Sequence, residues 1–163
     1  EPLEPILMHS TPGVFGVLSL SGDGVALLKA LTDAWVLNAG QPLAVTWNGP
    51  PAGARSHIVL ELSVDQHGTS PISVECTFAD TGHAEIPVQI IDGLLNAGIS
   101  GYPNGSLTRQ TADSMEVAEK GCISLLTLSR QTATVRVSGY TACSSSDDCP
   151  SPMHCNLAVN LCE

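Results

Sequence analysis

Between residues 54 and 87 the chain alternates apolar and polar positions twice. Ile58, Leu60, Leu62 and Val64 interleave with Val59, Glu61, Ser63 and Asp65, and Ile72, Val74, Cys76 and Phe78 with Ser73, Glu75, Thr77 and Ala79. A polar stretch with Gly68 and Pro71 separates the two runs. A period of two on both sides of a Gly/Pro turn predicts an antiparallel hairpin with one apolar face. That face needs a second layer to cover it, and a β-sandwich is its natural completion. Leu43, Val45 and Trp47 share one face of a further strand, and residues 13–20 and 84–86 read as strands too. Residues 25–37 fit either a short helix or a buried strand. Residues 87–96 carry Val88, Ile91 and Leu95, or Ile90 and Leu94, at helical spacing. Pro87 suits the first helical turn and Gly98 the end, so one short helix is expected at an end of the sandwich. Residues 106–112 read as a strand, 113–121 as a polar loop, and 122–130 with 132–138 as a closing pair of strands. The fold class is all-β: an antiparallel β-sandwich with one helix.

The stretch LAVTWNGPP at 43–51, followed by HIVLELSV at 57–64, resembles the B strand and B–C loop of fibronectin type III and related immunoglobulin-like domains. The resemblance implies an immunoglobulin-like β-sandwich in which Trp47 is a core residue. On this reading residues 1–12 are an N-terminal arm or linker, 13–140 the sandwich, and 141–163 an appended tail.

Cysteine placement adds the compartment. Four of the six cysteines, Cys143, Cys149, Cys155 and Cys162, crowd into the tail. A segment this short builds no hydrophobic core, so crosslinks must fix its shape. Zinc ligands usually stand two to four residues apart, and C-x5-C-x5-C-x6-C does not follow that spacing. Disulfides are therefore expected, and with them an oxidising compartment: extracellular, cell-surface or periplasmic. Four cysteines allow three pairings. The tail resembles the small C-x5-C-P-x4-C-x6-C repeats of exported delta-proteobacterial proteins and of several eukaryotic cysteine-rich modules. That resemblance implies Cys143–Cys155 and Cys149–Cys162. Cys76 and Cys122, each on an expected strand, are expected to pair with each other. The start at Glu1 reads as a trimmed fragment of an exported precursor, of lipoprotein type.

Net charge is −10, and the six basic residues are scattered without a stripe. A phosphate backbone or an anionic membrane would be repelled, so nucleic acid is not an expected partner. No apolar run reaches the length of a membrane span.

Candidate chemistry is sparse. Asp80-Thr81-Gly82 resembles the tripeptide of aspartic proteases. One copy per chain would require a homodimer in which two Asp80 carboxyls share a proton. A turn is the plainer reading, because Asp and Gly favour turns. Asp147-Asp148 with Asp23 could offer oxygen ligands to calcium, although a lone acidic pair is ordinarily just solvated. Trp35, Tyr102 and Tyr140 are the weak candidates for a sugar-stacking or other binding surface. No Gly-x-Ser-x-Gly elbow or phosphate loop is present, and no cofactor is expected. The expectation is an exported, non-enzymatic binding or structural module with an unidentified protein or surface partner. A homodimeric aspartic protease and a calcium- or carbohydrate-binding module are the alternatives.

Overall fold

The computed structural model describes residues 28–31, 34–50, 52–64, 72–117 and 121–163. The expectations for residues 1–20, for Asp23 and for the turn at 66–71 lie outside these. The described chain is mainly β, with one α-helix. Strands β1 (Ala34–Leu37), β3 (His57–Ser63), β4 (Ser73–Ala79), β6 (Asn104–Val117) and β7 (Gly121–Val137) form a five-stranded sheet in the order β1-β7-β6-β3-β4. β1 runs parallel to β7, and the other pairs are antiparallel. β2 (Leu43–Thr46) and β5 (His83–Ile86) make a separate antiparallel pair.

The expected hairpin is β3–β4, in register from His57 opposite Ala79 to Ser63 opposite Ser73. Its alternation is realised physically: Ile58, Leu60 and Leu62 are buried, while Val59, Glu61 and Ser63 are only partly covered. Burying each of those three side chains stabilises the fold by about 1.5–3 kcal/mol. The inward row continues through Leu107 on β6, Ala133, Val135 and Val137 on β7, and Trp35 and Leu37 on β1. Leu43, Val45, Trp47 and Ile86 of the small sheet belong to the same core cluster.

Of the span 25–37, the described residues 28–31 and 34–37 are extended chain rather than helix. Leu31 N–H donates to Thr46 O (3.0 Å) and Asn48 N–H to Lys29 O (3.0 Å), so the first of these segments lies along β2. After residues 32–33 the chain joins the other sheet as β1.

The helix α1 (Val88–Asn96) follows Pro87 as expected. Its buried stripe is Ile91 and Leu94, whereas Ile90 is exposed. Val88 and Leu95 are half-buried, with Leu95 packed against the core, so the set Val88, Ile91 and Leu95 lies on the covered side together with Leu94, and only Ile90 of the second set is exposed. Gly98, at φ +110°, ends the helix in a backbone conformation that favours glycine.

The largest departure is at the last two strands. Residues 113–117, expected as loop, continue β6, and β7 runs unbroken where two strands were expected. Nothing between Arg130 and Thr132 breaks the alternation: Arg130 points out to Glu61 and Gln131 points in, accepting from Ala30 N–H at 2.7 Å. The ribbon also outruns its support. β3 pairs with β6 only as far as His57 opposite Gln110, so residues 111–117 and 121–127 pair with each other alone among the described strands.

Gly105 on β6 sits beneath the Trp35 ring, where a Cβ would lie 2.6 Å from Cζ3 and 3.1 Å from the Glu61 carbonyl oxygen. Gly105→Ala is therefore expected to cost about 1–3 kcal/mol by overpacking, read as a lower urea midpoint with unchanged m-value. An unchanged midpoint would show that Trp35 moves aside freely.

Candidate functional site

Asp80 follows β4, and Arg109 lies on β6 with its side chain on the inward face. Their side chains are 2% and 0% exposed and meet at 2.6 Å, Arg109 Nε to Asp80 Oδ2. Arg109 Nη2 adds a second contact to Oδ1 at 3.1 Å and also donates to the Asn48 carbonyl oxygen. Trp47 Nε1 donates to Asp80 Oδ1 (2.8 Å) and Ser56 Oγ to Oδ2 (2.6 Å). One carboxylate thus joins the end of β4 to β6, to the end of the β2 segment and to the loop before β3. Burial alone pushes the Asp80 carboxyl up. The donors Arg109, Ser56 and Trp47, with the Arg109 charge, outweigh it and hold the group below the usual carboxylate range. The geometry is that of a buried, fully engaged ion pair. Sharing a proton with the Asp80 of another copy would require taking this carboxylate away from its donors.

The sequence reading singled out Asp80 but missed Arg109, Ser56 and Asn48. One signal was available. Leu107 and Arg109 share a strand face, so a charge falls on the row that is otherwise apolar, and a buried charge needs a counter-charge.

The tail is held by two disulfides, Cys143–Cys155 and Cys149–Cys162, the pairing that the cysteine-repeat resemblance implies. A short β8–β9 ladder (Cys155–Asn156 with Leu161–Cys162) lies within it. The Sγ atoms of Cys143, Cys149 and Cys155 lie within 4.8 Å of one another. All three are in disulfides, and a metal binds the thiolate, so this cluster offers no metal site in the oxidised tail. Asp148 accepts at one oxygen from Ser144 N–H (2.8 Å), Ser144 Oγ (2.8 Å) and Ser145 N–H (3.0 Å). These bonds, Ser144 N–H foremost, hold its carboxyl below the usual range. Asp148 fixes the turn at Ser146–Asp148.

Tyr140 ties this tail to the body. Its hydroxyl lies 2.9 Å from the Gly101 carbonyl oxygen and 3.2 Å from that of Val159, and Gly101 N–H donates to Val159 O (3.1 Å). Beside this junction lies a cleft of about 510 Å³ lined by Val36, Pro103, Arg136, Tyr140 and Thr141 among others. Arg136 is exposed there, with no carboxylate partner among the described residues. No local pattern along the chain points to this cleft, because its walls come from β1, β7 and the start of the tail.

The three aromatic candidates do not assemble into a platform. Trp35 is 1% exposed and belongs to the core, Tyr140 is engaged as described, and only Tyr102 stands exposed. The expected bond between Cys76 and Cys122 is also corrected. Cys76 is a free thiol, half-buried on the inward face of β4. It lies in one row with Leu60, Leu107 and Gln131, whereas Cys122 stands opposite Glu116, about 30 Å further along β7 at a strand's rise. Burial, then the Glu75 carboxylate, pushes the Cys76 thiol up, which leaves it a poor nucleophile at neutral pH. Among the described residues no helix is long and apolar enough to cross a membrane. No family model matches the chain, and neither a curated protein nor a solved structure matches it.

Proposed function

We propose that this chain is an exported, non-enzymatic binding or structural module built on an immunoglobulin-like β-sandwich, and that it engages a protein or surface partner. The observation that carries the non-enzymatic reading is the engagement of Asp80. The one sharp catalytic motif in the sequence places its carboxylate against Arg109, Trp47 and Ser56, with its side chain 2% exposed. The sandwich reading is supported by strand order. Residues 28–31, β2 and β5 are hydrogen-bonded together, separately from the sheet that holds β4, β3, β6 and β7, and both groups send side chains into one core cluster. In sequence order these correspond to strands A, B and E facing C′, C, F and G of immunoglobulin-like domains. Export is supported by the two disulfides that hold the tail. The cleft beside Arg136, next to the tail junction, is the contact surface on this reading.

Two measurements test it. Native alkylation followed by mass spectrometry should leave Cys143, Cys149, Cys155 and Cys162 unlabelled until a reductant is added. Labelling of all four in folded, freshly isolated protein would remove the argument for export. Purified chain should show no cleavage at acid pH that a statine-type inhibitor blocks. Inhibitable cleavage lost in Asp80→Asn would replace the module by a protease.

A further inference from the structure

We propose that the unpaired edge of β7 is a self-association surface whose occupant is the same edge of a second copy of this chain. β1 covers β7 only at Thr134–Val137. Further up, Leu28 and Ala30 bond to the side chains of Ser129 and Gln131 and leave the backbone edge alone. Among the described residues, no strand pairs with that side of β7 from Gly121 to Ala133. Residues 121–127 also belong to the ribbon that outruns β3. A two-stranded ribbon is marginal in water by itself, and an added strand is what stabilises one.

Charge selects both the edge and the occupant. Residues 121–129 read GCISLLTLS, with no charged residue and no proline. The opposite free edge of the ribbon, residues 111–117, reads TADSMEV and carries Asp113 and Glu116. For a chain of net charge −10, two copies meeting by β6 edges would bring carboxylates together, whereas meeting by β7 edges opposes none within the run. Charged residues and prolines are the usual protection of a free edge, and this run lacks both. Antiparallel pairing about a two-fold axis normal to the sheet, midway between the two β7 strands, keeps every side chain on its own face. It would gather Leu126 and Leu128 of both copies, 56% and 55% exposed in the single chain, on one face of a continuous sheet. This surface does not depend on the functional reading above.

Sedimentation equilibrium of the full chain tests the proposal. The expected result is a reversible dimer that becomes monomeric in Leu126→Lys/Leu128→Lys, with unchanged far-UV circular dichroism. Ser124→Lys, at an exposed position of the same run, should do the same if the double variant fails to fold. Hydrogen exchange should show residues 121–128 gaining protection as concentration rises, and residues 111–117 not. A chain monomeric at every attainable concentration would overturn the proposal, including the case in which its own first 27 residues protect the edge. So would a dimer that survives both variants.

Discussion

Asp80→Ala is expected to lower the unfolding free energy by about 3–5 kcal/mol, because it leaves a buried guanidinium without its counter-charge. Arg109 is 0% exposed and cannot turn to water without opening the core. The same substitution strips Trp47 Nε1 and Ser56 Oγ of an acceptor. Urea denaturation measures the loss. A cost below about 1 kcal/mol is what an exposed pair shows, and would mean that the pair is open to solvent. The double variant Asp80→Leu/Arg109→Met should recover much of the loss, since replacing a whole buried pair with apolar groups is often neutral or better. The pair also has a pH signature. The folded carboxyl titrates below its unfolded value, about 3.9 for Asp. Its contribution is therefore complete above that value and is lost as pH falls through the lower folded value. Wild type should lose stability below about pH 4 with a slope that Asp80→Asn lacks. Equal slopes would show that Asp80 titrates no differently in the folded chain.

Cys149→Ser/Cys162→Ser is expected to destabilise the tail by about 3 kcal/mol, the chain-entropy estimate for a loop of this size. The bond spans a sequence separation of 13, and the ladder it crosses is only two residues on each strand. Cys143–Cys155 and the Tyr140 contacts still tie the tail to the body, so the loss should appear locally: faster proteolysis and exchange in the tail, with the body's melting nearly unchanged. Faster exchange in β3 or β6 would show instead that the tail supports the core. Tyr140 is where such coupling would pass, through its contacts to Gly101 and Val159.

The parts of this fold that were legible in the sequence are those set by local pattern. β3 and β4 declare themselves by a period of two, α1 by Pro87 and its apolar spacing, and the tail by crowded cysteines. Misreadings arose where local pattern is silent about partners. Polar residues at 113–117 suggested a loop, yet the backbone there continues β6 because β7 runs alongside it. Cys76 and Cys122 both sit on strands, but only the register shows that they stand in distant rows. Trp35 looked available for a ligand until Gly105 supplied the space that buries it. The site followed the same division. Asp80 stood out as part of a motif, but whether its carboxylate faced water or Arg109 depended on how β6 crosses the sheet.

The sequence by itself determined a mainly β chain, one short helix after Pro87 and a tail that must be crosslinked. Each of these follows from the spacing of neighbours along the backbone. The tertiary structure alone decided that Asp80 and Arg109 meet in the interior, that Cys76 stays a thiol, and that the β6–β7 ribbon extends beyond its sheet. Those outcomes depend on strand order and register, which bring together groups far apart in the chain and which no local pattern encodes.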